Sequence, residues 1–119
     1  MKNEEHHHQV AVFDWLDLIS RDLPQVGGAF AIPNGGHRHK VVALKLQREG
    51  VKPGVPDQFL PIARSGYHGL FIELKASKGR LTHTQKVWLS FLNSQGYRAE
   101  VAHGAEENIE IYKNYLGLK

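Results

Sequence analysis

The stretch Leu70–Ala76, LFIELKA, constrains the fold of this chain more than any other. Its apolar residues mark a strand buried in a core, yet Glu73 and Lys75 stand within it. Side chains alternate faces along a strand, so Glu73 and Lys75 share one side while Ile72 and Leu74 share the other. Upstream, Asp57 opens DQFLPI, a second short strand, and ARSGYHG between the two makes a turn. If these strands pair antiparallel about Ser65–Gly66, residue 62 faces 69 and residue 57 faces 74, which sets Asp57 beside Glu73 and Lys75. A bulge in the loop would move that register by one or two residues. Two carboxylates this close repel, and desolvation adds to the cost of ionising both. A divalent cation removes the conflict, and an all-oxygen donor set suits Mg²⁺ or Mn²⁺. The competing reading is a Glu73–Lys75 pair on an exposed edge strand with Asp57 capping a turn, an arrangement of little energetic consequence.

Around these strands the pattern alternates between helix and strand. Residues 4–21 carry Val12, Leu16 and Ile19 as a helical stripe, with Trp15 beside it. Stepping back along that stripe from Val12 reaches Gln9 and then Glu5, so an acid lies on the face turned toward the core. Pro24 and Gly27-Gly28 end the helix. GAFAIPN reads as a short strand closed by a turn at 33–36, and residues 37–49 as a second, basic helix. TQKVWLSFLN is a third helix, YRAEVA a strand, and AEENIEIYKNYLG a last helix. The order α-β-α-β-β-α-β-α describes a single α/β domain over residues 1–119, a mixed sheet flanked by helices.

Composition narrows the chemistry. A chain of 119 residues, 41% of them hydrophobic, builds a core without staples. It has no cysteine, which removes disulfides and thiolates and leaves oxygen and imidazole as metal ligands. A net charge of +3 permits nucleic-acid binding without requiring it. No stretch approaches the roughly 18 apolar residues of a membrane span, and the first ten residues lack the apolar core of a secretion signal. The expectation is a cytoplasmic protein with no membrane partner. His6-His7-His8 could be a tag fragment, a metal tract or ordinary helix. Successive helix residues point about 100° apart and cannot all face one ion, so these read as helix residues.

Asp57 preceded by Pro56, with ELK at 73–75, resembles the PD…ExK signature of the PD-(D/E)XK nucleases, which share the restriction-endonuclease-like fold. AIPNGGHR (31–38), EGVKPGVPD (49–57), YHGLFIELKA (67–76) and LTHTQKVWLSFLNSQGY (81–97) are together similar to the VRR-NUC branch, in particular its small stand-alone phage and bacterial members. The resemblance implies roles. Asp57, Glu73 and the Leu74 carbonyl would hold Mg²⁺ or Mn²⁺, and Glu5 matches the family's first-helix glutamate, with Glu4 as its rival. Lys75 would orient or help deprotonate the attacking water and stabilise charge on the phosphate. Gln85 matches a glutamine on the helix after the ExK strand, although Thr82-x-x-Gln85 is also a capping box. Gln58 follows the aspartate where relatives often have an apolar residue, and no chemistry is read from it.

For DNA, Asn34, His37, Arg38 and Lys40 fall at the start of the second helix, where free amides favour phosphate, and Arg80 lies near the motif. The implied function is a structure-specific endonuclease of the Holliday-junction resolvase type, a homodimer acting on four-way junctions in a bacterial or phage-infected cell. Trp15, Phe30, Tyr97 and Tyr112 are candidates for the dimer surface. A nuclease for flaps, nicks or ends, and a non-catalytic DNA-binding module of the same fold, are the alternatives.

Overall fold

The computed structural model describes residues 3–33 and 40–119. Its centre is the charged strand of the sequence, β3 (Leu70–Lys75), which lies between β2 (Gln58–Leu60) and β4 (Arg98–His103), with β1 (Phe30–Ala31) outside β2. The pairings β1–β2 and β2–β3 are antiparallel and β3–β4 is parallel. A parallel pair needs a crossover, supplied here by α3 (His83–Ser94). The other helices are α1 (Asn3–Ile19), α2 (Lys40–Arg48) and α4 (Ala105–Leu116), and the segment Pro24–Gly28 forms a 3₁₀ turn that the sequence reading took only as the end of α1. The α/β class and the order of helices and strands are those expected. The start expected for the second helix, residues 37–39, lies outside the described residues.

One face of the sheet makes the core. Leu70, Ile72 and Leu74 of β3, with Leu60 of β2 and Ala102 of β4, pack against Val12 and Leu16 of α1 and Tyr112, Tyr115 and Leu116 of α4. Each large apolar side chain so buried contributes about 1.5–3 kcal/mol. Tyr112 is fully buried, which removes it as a dimer-surface candidate. The reason is its position on the face of α4 that meets Trp15 and the sheet. Phe30, by contrast, is 48% exposed.

The hairpin departs from expectation by one residue. Its turn is where the sequence puts it: Arg64 bridges Tyr67 across Ser65 and Gly66, whose φ values of 50° and 85° suit a tight hairpin turn. Beyond the turn, however, Gln58 faces Ile72 and Leu60 faces Leu70. Pro61 has no amide for the ladder, and the Ile62 N–H turns back onto the Leu60 carbonyl at 2.9 Å. This kink absorbs one extra residue on the β2 side. One step past the end of the ladder, Asp57 therefore falls opposite Glu73 rather than Leu74. No described helix is long and apolar enough to cross a membrane.

Candidate active site

Asp57, Glu73 and Lys75 are buried, at 9%, 3% and 8% exposure. Because β3 is an interior strand, the edge-strand reading of the Glu73–Lys75 pair does not apply. The Leu74 N–H donates to Asp57 Oδ2 at 2.8 Å, so the backbone of β3 fixes the aspartate from the neighbouring strand. Lys75 Nζ lies 3.7 Å from Glu73 Oε2. The same oxygen accepts from Gln85 Nε2 at 3.3 Å. Gln85 divides its side chain between two tasks. Its Oε1 accepts from the Thr82 N–H at 2.9 Å, while its own N–H donates to Thr82 Oγ1 at 3.1 Å, completing the capping box of α3. The cap thus aims the remaining Nε2 at Glu73, and the two sequence readings of Gln85 coexist.

The other oxygen of the glutamate, Glu73 Oε1, is buried with no hydrogen-bond partner. Burial, and then the adjacent Asp57 charge, push the Glu73 carboxyl up to about 9. Burial also raises Asp57 above its ordinary value, although the adjacent Glu73 side chain and the Leu74 amide pull the other way. The two carboxyls accordingly resist ionising together, which favours a proton held by the pair. A buried carboxylate oxygen lacking a donor, beside a second carboxylate, is the environment a hard divalent cation satisfies. Asp57 and Glu73 are the side chains that fit one.

Glu5 is half-buried on α1, and its charge raises both Asp57 and Glu73. It is near enough to act by its field. It does not complete a ligand triad: among the described residues no three His, Asp or Glu side chains gather closely enough to hold an ion. Glu4 is turned elsewhere, its Oε2 accepting from the Ser77 N–H at 2.9 Å. Of the expected DNA-contacting residues, Asn34, His37 and Arg38 lie outside the described residues. Lys40 begins α2, and Arg80 lies in the connection from β3 to α3; both are exposed.

Three positions carry more than their sequence signal suggested. His103 is the register partner of Lys75 on β4, and its Nε2 meets the Gly79 carbonyl at 3.0 Å, tying down the loop that leads to Arg80. His8 Nδ1 accepts from the Ala105 N–H at 3.0 Å and so caps α4, whose own N-cap, Gly104, has no side chain. Gln58 is fully buried among polar partners. A glutamine inside an otherwise apolar strand was its one visible signal.

A family model of the VRR-NUC domain matches residues 3–106. No curated protein matches the chain. Among solved structures, a chain named "VRR_NUC domain protein" is similar at a TM-score of 0.81 and 31% identity, over 99% of this chain and 92% of that one. VRR-NUC nucleases are generally metal-dependent, in keeping with the oxygen donors at Asp57 and Glu73. With the match running from the first turn of α1 through every strand into α4, the chain belongs to the VRR-NUC domain family and has that family's nuclease-type, DNA-processing function.

Proposed function

We propose that this protein is a structure-specific DNA endonuclease that hydrolyses phosphodiester bonds with Mg²⁺ or Mn²⁺ held at Asp57 and Glu73, and that it resolves four-way junctions as a homodimer. The observation that carries the reading is Glu73 Oε1, a buried carboxylate oxygen without a donor, set beside Asp57 and Lys75. When bound, the cation supplies a Lewis acid for a phosphate oxygen and lowers the pKa of water toward neutrality.

The protein's own groups do the rest. The Leu74 amide holds Asp57 in one orientation, and Gln85 and Lys75 hold Glu73 by its other oxygen. Asp57 and Glu73 give up their shared proton before both act as donors, so loading is favoured by rising pH. Lys75, nearly buried, sets its Nζ beside Glu73, where it orients the attacking water and offsets the negative charge that develops on the phosphate. Arg80, Lys40 and the basic segment before α2 grip the backbone.

The dimer reading rests on symmetry and on surface. One site cuts one strand, whereas a two-fold dimer places two sites on a symmetric junction. Phe30 at the sheet edge, and Val42 and Leu44 on α2, a helix that buries none of its residues, leave apolar area exposed.

The test is cleavage of labelled four-way junction, flap, single-stranded and duplex DNA with Mg²⁺, Mn²⁺ or EDTA. Junction cutting that needs the metal is the expected result. Cutting in EDTA overturns the metal mechanism. Flaps or duplex cut as fast as junctions would leave a nuclease and remove the resolvase, and a monomer in sedimentation on junction DNA removes the dimer.

A further inference from the structure

Gln58 follows Asp57 in the chain and faces the opposite side of the sheet, into the core. Its Nε2 donates to Gln9 Oε1 on α1 at 2.8 Å and to Asn108 Oδ1 on α4 at 2.8 Å. Its Oε1 accepts from Asn108 Nδ2 at 3.2 Å and from the Tyr112 hydroxyl at 3.0 Å. A primary amide has two donor hydrogens and two acceptor sites, and here all four are used.

What this network does for α1 follows from where that helix is buried. Its buried residues are Val12 and Leu16, both in the C-terminal two-thirds; Val10 is 45% exposed. Apolar packing therefore does not locate the first turns. Three polar ties do, each to a different element. Glu4 Oε2 takes the Ser77 amide after β3, His8 Nδ1 takes the Ala105 amide at the start of α4, and Gln9 Oε1 takes the Gln58 amide of β2. Of these three, only the Gln9 tie reaches the strand that carries on from Asp57. Gln9 is also one helical turn from Glu5, on the same face. The Gln9–Gln58 hydrogen bond thus spans the two pieces of backbone whose separation sets how strongly Glu5 acts on the Asp57–Glu73 pair.

We propose that Gln9, docked on Gln58, is a positioning residue that holds the Glu5 carboxylate against the Asp57–Glu73 pair and thereby raises the affinity of that pair for a divalent cation. The inference rests on the metal-dependent reading of Asp57 and Glu73. It assigns Glu5 a role through charge, which does not need direct ligation.

Substituting Gln58 strands Asn108 and Tyr112 in the core, so half-buried Gln9 carries the test. Mn²⁺ alone is titrated calorimetrically into the full chain, with thermal melting by circular dichroism to establish folding. Gln9→Met should weaken Mn²⁺ binding about tenfold, the low end of what supporting hydrogen bonds around metal sites contribute. Glu5→Gln should weaken it comparably. The double variant should be no weaker than Glu5→Gln alone, since Gln9 then has no charge to position. Gln9→Glu, which keeps an acceptor for Gln58, should bind at least as tightly as the natural chain. Unchanged affinity in Gln9→Met, unchanged affinity in Glu5→Gln, or a double variant that loses the product of the two factors each overturns the inference and leaves the nuclease reading standing. A natural chain that binds no Mn²⁺, yet cuts DNA in EDTA, removes the metal reading and the inference with it.

Discussion

Asp57 and Gln58 are adjacent in the chain, both buried, and opposite in design. Gln58 faces the core with every hydrogen-bonding capacity filled. Asp57 faces the other side, next to a glutamate that has one oxygen without a donor and a carboxyl pushed up to about 9. A satisfied buried polar network makes a core unique and stiff, whereas an unsatisfied one is costly unless a ligand completes it. The strand β2 therefore separates rigidity from reactivity by the alternation of its side chains. Substitutions on its two sides should have opposite signatures.

The largest effect belongs to the unsatisfied side. Glu73→Gln and Asp57→Asn should each reduce DNA cleavage by at least about 10²-fold, the scale of losing one preorganised electrostatic contact in a transition state. Both should retain or tighten junction binding, because a negative charge near the phosphates is gone. Glu73→Gln should not lower metal-free stability, since a neutral amide avoids the desolvation that raises the glutamate. Gel-shift and cleavage assays on one preparation check this. Unfolding of both variants would instead make the carboxylates structural.

On the satisfied side the order is reversed. Gln58→Leu leaves the Asn108 amide and the Tyr112 hydroxyl buried without partners and should cost about 3 kcal/mol of stability. Tyr112→Phe removes one partner and leaves Gln58 three hydrogen bonds, so about 1 kcal/mol is expected. Urea titration measures both. A Gln58→Leu protein as stable as the natural one would show that the network contributes no net stability.

The pair also predicts how stability follows pH. Glu73 is raised from 4.5 in the unfolded chain to about 9 in the folded one, and Asp57 moves in the same direction. Between those values the folded state binds more protons than the unfolded state, so metal-free stability falls as pH rises from about 4.5 through about 9. The contribution is whole below the lower value and lost above the upper one. Glu73→Gln should flatten this slope, and saturating Mn²⁺ should offset it by binding the ionised pair. Melting temperature against pH, with and without the ion, tests the sign.

Much of this contrast was legible in the sequence, though unevenly. Glu73 and Lys75 were visible because charges inside an apolar run break a pattern, and the alternation rule gave their shared face without a structure. Glu5 was visible because the Val12–Leu16 stripe, extended back, lands on it. The exact register was not. Pro61 inserts its extra residue through a local turn, Ile62 onto Leu60, that no hydrophobic pattern records. The role of Gln58 has no such signal, because its partners Gln9, Asn108 and Tyr112 come from two helices at the ends of the chain, and tertiary hydrogen bonding leaves no local signature. Gln85 was half legible: the Thr82 cap is local, while its reach to Glu73 depends on where α3 packs.

The smallest effect concerns the histidines, and it sharpens the same distinction between local and tertiary meaning. His6, His7 and His8 are chemically identical in sequence, yet they differ in place. His6 and His7 are exposed, whereas His8 reaches across to the first amide of α4. That helix begins at Gly104, at a φ of 93°, with no side chain to accept its free N–H groups. A Cβ at Gly104 would only touch the His8 ring in ordinary contact, at 3.6 Å, so it is the positive φ rather than space that calls for glycine there. His8 Nδ1 thus does for α4, from another helix, what a Ser or Asp usually does from the N-cap position itself. His8→Ala should cost about 1 kcal/mol, the usual value of a lost cap, and His8→Asn should recover little, because its shorter side chain does not reach α4. His6→Ala and His7→Ala should each fall within about 0.5 kcal/mol of the natural chain, as exposed substitutions do. Urea unfolding of the four variants distinguishes a cap from a surface run: equal costs at positions 6, 7 and 8 would mean that the α4 amide finds water as readily as imidazole.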